Sequence, residues 1–228
     1  VDVDLRRLFR ISPSGALGCL SAGLANGTFW AVAPVFTSAV SDDISLAAWF
    51  MSSAVVGGAL AQWPLGIMSD RIGRRKILMV VAGLGAALGV VTILTIDQLD
   101  FVGINLIGAA WGFVAFPVYG ISVAHANDYT DVDDYVMVSS GLLLMYGGGA
   151  IVGPFLASAL MTISGATAMY AFTGVAHLLL AIYVAIRIFR RDSAPSEQHI
   201  AFGDALATAH TASQVYEEEI QHIAEEES

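Results

Sequence analysis

The chain reads as six long apolar stretches separated by short polar breaks. The stretches cover about 15–39, 45–68, 77–96, 101–124, 136–162 and 167–189. The breaks are Ser41-Asp42-Asp43, Ser69 to Lys76, Asp97 to Asp100, His125 to Tyr135, and Ser164-Gly165. Residues 135–186 contain no Asp, Glu, Lys or Arg. As one helix, that run of 52 residues would extend about 78 Å at ~1.5 Å per residue, against a bilayer core of ~30 Å. It therefore predicts two crossings with a break between them. Each stretch is long enough to span a bilayer with some tilt. Backbone in hydrocarbon must bond to itself, which predicts helices. The ~10-residue alternating segments of an outer-membrane barrel are absent. The expected fold is an all-α integral membrane protein, a six-transmembrane-helix bundle.

Composition agrees. The chain is 56% hydrophobic and 13% charged, where soluble domains hold roughly 45–50% and about 25%. A lone cysteine, Cys19, excludes an internal disulfide framework. The net charge of −10 argues against a nucleic-acid partner, and most of it lies in the tail. Residues 192–228 hold nine acidic residues and no Lys or Arg. This divides the chain into a leader of 1–14, a bundle of 15–190 and an acidic tail of 191–228. Within the tail, Leu206, Ala209, Val215, Ile220 and Ile223 have some helical spacing.

The ten basic residues set the orientation. They fall at Arg6, Arg7 and Arg10; at Arg71, Arg74, Arg75 and Lys76; and at Arg187, Arg190 and Arg191. With six spans these places share one face, so both termini are expected in the cytoplasm of a plasma (bacterial inner) membrane protein. Residues 1–14 then read as the end of a cytoplasmic linker; the apolar stretch after them is too long for a signal peptide. The cytoplasmic segment 125–135 breaks the pattern, carrying Asp128, Asp131, Asp133 and Asp134. Facing the basic segment across the same water layer, it is a candidate ionic partner for it.

The break between the second and third spans reads Gly66-Ile-Met-Ser-Asp70-Arg71-Ile-Gly73-Arg74-Arg75-Lys76. This resembles the G-x-x-x-D-R-x-G-R-R signature of the major facilitator superfamily of secondary transporters. In that family the signature joins spans 2–3 and again 8–9. Six spans with one signature resemble one half of the twelve-helix fold, here spans 7 to 12, built as a 3+3 inverted repeat. The resemblance implies a carrier that moves a small solute by alternating access against an N-terminal six-span half, with a proton as a possible coupling ion, the lipid bilayer as surroundings and no cofactor. It makes Gly66, Asp70, Arg71, Gly73, Arg74 and Arg75 the gating motif. In the fifth span, Gly149, Gly153 and Pro154, followed by Ala157, resemble the small-residue and Gly-Pro pattern of antiporters in this superfamily; small residues there also let helices approach closely. Ala126-Asn127-Asp128 with Ser139-Ser140-Gly141 is similar to the YcaD-like subgroup.

Trp30 to Pro34 in the first span resembles Trp111 to Pro117 in the fourth, which would make those spans equivalents. In this superfamily such spans line the central cavity, so Asn26, Thr28, Trp30, Asn105, Trp111 and Tyr119 become its candidates. An uncharged or weakly polar solute suits that lining. His177 lies near the middle of the last span, where an ionisable side chain is usually functional; the alternative reading is a neutral histidine bonded to a neighbouring helix or facing the headgroups.

Two other classes leave partial traces in the sequence. Gly120-Ile-Ser122 with His177 resembles the serine and histidine of rhomboid intramembrane proteases. A serine nucleophile needs a base within hydrogen-bond reach, and Ser122 and His177 lie at different depths; Val123 also stands where that family has glycine. A channel would need a charged or carbonyl filter, which no segment resembles. No metal, phosphate-loop or cysteine motif is present, so neither metal nor catalytic residues are expected.

Overall fold

The computed structural model describes residues 4–190. A short helix α1 (Leu5–Ile11) precedes six long ones: α2 (Pro13–Val40), α3 (Ser45–Ile72), α4 (Arg74–Thr95), α5 (Phe101–Asn127), α6 (Tyr135–Ser164) and α7 (Ala168–Arg190). All six long helices are apolar enough to cross a membrane, α4 together with the 3₁₀ turn Ile96–Gln98 that continues it. No strand occurs among the described residues. α1, α2 and α5 begin at side-chain caps. The side chains of Ser12 and Asp100 accept hydrogen bonds from the amides of Gly15 and Gly103, at 3.3 and 2.8 Å. That satisfies amides a helix start leaves unpaired. The sequence-predicted spans match these helices to within one residue where they overrun them, and several helices run some residues into the polar breaks.

The chain's outside is apolar, as a lipid-facing bundle requires. Trp63, Phe155, Leu94 and Phe189 are among the most exposed side chains. Inside, buried clusters such as Phe29, Phe36, Phe50 and Trp111 fill the core, and small residues let the helices approach closely where lipid offers no hydrophobic incentive to associate. The closest pairs are α2 with α6 and α3 with α5.

Those two pairs repeat each other in register. A Cβ on Gly23 would strike the Tyr146 carbonyl, and one on Gly108 the Phe50 carbonyl. Gly27 meets Ala150 as Gly112 meets Ala54. Gly153 meets the Leu24 carbonyl as Gly57 meets that of Ala109. Exchanging α2, α3, α4 for α5, α6, α7 thus maps one contact set onto the other, and maps the pair α4–α7 onto itself, with Gly89 against Tyr170 and Gly174. Each of α2, α3, α5 and α6 also carries one interior proline: Pro34, Pro64, Pro117 and Pro154. This is the 3+3 repeat, and it corrects the register read from the sequence. The glycines make Trp111 the counterpart of Asn26 and Trp30 that of Ala115. The Trp-to-Pro match is about one helical turn out, because it followed aromatic identity and the repeat is written in backbone approach.

The acidic tail, including its helical spacing over 205–224, lies outside the described residues. The leader 1–14 contains α1, which folds back so that Leu8 is fully buried beside Ala16, Cys19, Val123 and Leu142.

Candidate functional site at the α3–α4 turn

α3 and α4 meet at one residue. Gly73 caps the end of one and the start of the other with φ 112° and ψ 131°, a region that only glycine enters without strain. A Cβ there would meet nothing within 4 Å. The glycine is needed for its conformation and not for space. Gly73→Ala should therefore cost about 1–3 kcal/mol, whereas Gly83→Ala, in open space within α4, should be neutral or stabilising by up to ~1 kcal/mol. Thermal unfolding of the two variants in one detergent checks this; equal midpoints would mean that the turn relaxes.

The tight turn puts Arg74 on the first turn of α4, pointing inward. It is 3% exposed. Its Nε donates to Asp128 Oδ2 at 2.7 Å, and its Nη1 donates to Asp70 Oδ1 at 2.7 Å. Nη1 also lies 3.5 Å from Ser69 Oγ, whose own hydroxyl donates to the Gly66 carbonyl at 2.9 Å. One planar guanidinium thus joins the end of α3, the start of α4 and the end of α5. Lysine lacks that fork geometry. Asp128 is 4% exposed, and a buried carboxylate is tolerable only when paired and hydrogen-bonded.

Arg75 is buried beside it. Its Nη2 donates to the Tyr129 hydroxyl at 2.8 Å, and its guanidinium carbon lies 5.4 Å from the centre of that ring. His125 packs edge-on against the same ring, centroids 5.1 Å apart. Arg71 and Lys76 are exposed. The whole lines an open pocket of about 190 Å³, bounded also by Ile188 of α7. The signature is therefore split: Arg74 and Arg75 hold helices together, and Arg71 and Lys76 face outward.

The acidic segment divides too. Asp128 meets Arg74. Asp134, at the start of α6, pairs with Arg7 of α1 at 2.7 Å, while Asp131 and Asp133 are exposed. Tyr129, His125 and Ser69 belong to the cluster and were not singled out from the sequence. The available signal was spacing: 125, 128 and 129 stand at i, i+3 and i+4 across the last turn of α5 and its C-cap.

The other sequence candidates lie elsewhere. Gly149 and Gly153 stand against α2, where their Cβ atoms would meet the backbone of Leu20 and Leu24; Pro154 is partly buried next to them. Thr28 and Trp111 are 0% and 2% exposed, with Trp111 stacked on Phe29 at 4.1 Å. They are core residues and offer no surface to a solute, which corrects their place among the cavity candidates. Asn26 is buried as well. Trp30 is 44% exposed and stacks on Phe116. Tyr119 lies half-buried against Tyr146, and Asn105 donates to the Phe101 carbonyl and accepts from Ser53.

The structure does not assemble a serine–histidine pair. The Ser122 hydroxyl donates to the Val118 carbonyl at 2.6 Å, and His177 Nδ1 donates to the Thr173 carbonyl of its own helix at 2.8 Å. His177 is therefore not bonded to a neighbouring helix by that nitrogen; it packs on Gly85 of α4.

The comparisons with known proteins bear on the whole bundle. The family model described as Major Facilitator Superfamily matches residues 15–219. An MFS-type transporter of Yersinia enterocolitica is 31% identical over 150 residues, 64% of this chain and 37% of the relative. One of Yersinia pestis is 32% identical over 148 residues, with the same shares. The MFS-type transporter YcaD of Salmonella paratyphi B is 29% identical over 147 residues, again 64% and 37%. The chain thus matches a little over one third of the length of these curated relatives. No solved structure matches it.

Proposed function

The chain belongs to the major facilitator superfamily, and on that premise we propose that it is the C-terminal six-span half of a secondary carrier that moves a small solute by alternating access. The observation that carries this reading is the inverted repeat in register: two equivalent three-helix units, joined through glycine-lined faces, can exchange arrangements without losing either contact set. An N-terminal half of the same architecture completes the carrier and shares the solute site near the midplane. Trp30, Asn105 and Tyr119 are the residues of this half that keep a face for the solute. A proton is the coupling ion that the family resemblance implies, and its titratable site belongs to the N-terminal half.

The positions of the ten basic residues support a cytoplasmic α3–α4 turn and cytoplasmic ends of the bundle, in a carrier of a bacterial inner membrane. There the Asp70–Arg74–Asp128 cluster holds the cytoplasmic ends of α3, α4 and α5 in one arrangement. Its making and breaking biases the inward–outward balance, and ~1.4 kcal/mol of bias is tenfold in population. The test uses the full-length carrier in a Cys19→Ser background with a reporter cysteine at Tyr119. Asp70→Asn should raise labelling of that cysteine by an impermeant thiol reagent applied from the cytoplasmic side, while membrane insertion stays normal. Unchanged labelling and unchanged transport would mean that the cluster is a static brace and that the gate lies elsewhere.

A further inference from the structure

Helix α1 has two different sides. Its N-cap, Asp4, accepts a hydrogen bond from the Arg7 amide at 3.0 Å. α2 begins at Pro13, immediately after its C-cap Ser12. The inward side is occupied: Leu8 is fully buried among residues of α2, α5 and α6, with Leu5 and Ile11 packed around it, and Arg7 reaches Asp134. The outward side carries Arg6, Phe9 and Arg10, at i, i+3 and i+4. All three are exposed, Phe9 at 37%.

That outward side sits where an apolar span begins. A helix attached directly to the first turn of α2 lies at the level where hydrocarbon gives way to headgroups. Guanidinium groups bind phosphate bidentately. A phenyl ring between two of them reaches the acyl boundary that the arginines cannot enter. An acidic protein segment would satisfy the arginines but leave the phenyl in water. The exposed Arg71, Lys76 and Arg190 of the same face add to the attraction for an anionic surface.

We infer that α1 is an interfacial docking helix whose Arg6–Phe9–Arg10 side binds the phosphates of anionic phospholipids. Through Leu8 and the Arg7–Asp134 pair, the docked lipid surface holds the start of α2 to the start of α6. This inference needs the membrane crossing and not the transport reading.

Amide hydrogen exchange over residues 5–11 tests it, on the full chain in nanodiscs of phosphatidylcholine alone or with one quarter phosphatidylglycerol. Exchange should be about tenfold slower with the anionic lipid. The slowing should vanish in 0.5 M salt and in Arg6→Gln/Arg10→Gln, with the amides of α5 and α6 unchanged. Equal exchange in both lipids would overturn the inference and leave α1 held by the protein alone. So would the same slowing from inorganic phosphate in phosphatidylcholine discs at matched ionic strength. Slowing that depends on residues 192–228 in place of the lipid would also overturn it, making the acidic tail the occupant. The lipid comparison on the unaltered protein decides the matter even where the double variant fails to fold.

Discussion

Arg74→Gln should destabilise the bundle by about 3–5 kcal/mol, because removing one partner of a buried ion pair strands the other. Here one guanidinium serves two carboxylates, Asp70 and the almost fully buried Asp128. Arg71→Gln and Lys76→Gln, two residues of the same signature in exposed positions, should each stay within about 0.5 kcal/mol of the parent. Arg74→Lys should fall between, since an ammonium keeps the charge but cannot serve both carboxylates through one rigid plane. The buried cluster is not in itself a large source of net stability, because desolvating its ions offsets most of their attraction. Arg74→Met combined with Asp70→Asn and Asp128→Leu should therefore recover much of the loss. Unfolding midpoints of the series in lipid nanodiscs check the ranking. Arg74→Gln behaving like Arg71→Gln would mean that the two carboxylates are solvated and that the cluster joins nothing.

The second large effect is expected inside the run Gly147-Gly148-Gly149. A Cβ on Gly149 would lie 2.5 Å from the Leu20 carbonyl oxygen and 2.7 Å from the Leu24 amide nitrogen, both backbone atoms that no rotamer change can move. Gly149→Ala must push α6 away from α2 and should cost about 1–3 kcal/mol; Gly149→Leu should abolish the pairing. Cβ atoms on Gly147 and Gly148 would meet nothing within 4 Å. Alanine there should be neutral or stabilising by up to ~1 kcal/mol, since glycine is the poorer helix former. The facing helix is equally close, a Cβ on Gly27 lying 2.5 Å from the Ala150 backbone. Cross-linking between cysteines on α2 and α6, together with the unfolding midpoint, reads the result. Equal tolerance at all three glycines would show that the α2–α6 contact is looser than its glycines imply.

The six crossings were legible from the sequence, because hydrocarbon imposes on every span the same length and the same exclusion of charge. The breaks were legible for the converse reason: polar and turn-forming residues cluster only where the chain meets water. The signature identified the family through the order of Gly66, Asp70, Arg71, Gly73 and Arg74, and Gly73 carried its own physical meaning as the one residue able to turn α3 into α4. What those residues touch was not legible. Arg71, Arg74, Arg75 and Lys76 are equivalent as a run of positive charge, and only the turn geometry sends Arg74 and Arg75 inward and leaves the other two outside. Asp128, Asp131, Asp133 and Asp134 are likewise one acidic segment in sequence. The end of α5 assigns Asp128 to Arg74, and the fold-back of α1 assigns Asp134 to Arg7. Thr28 and Trp111 looked like cavity residues because polarity and aromaticity in a span suggest a lining, but the bundle closes over them. The repeat shows the limit most clearly. Side-chain identity pointed to Trp30 and Trp111, whereas Gly23 and Gly108, or Gly27 and Gly112, are the true equivalents. Sequence by itself determines how many helices cross, which family they belong to and where the chain must turn, since each follows from local composition. Which arginine is buried, which glycine is irreplaceable and in what register the two halves of the bundle correspond is decided only in the tertiary structure, because each depends on how closely one backbone approaches another.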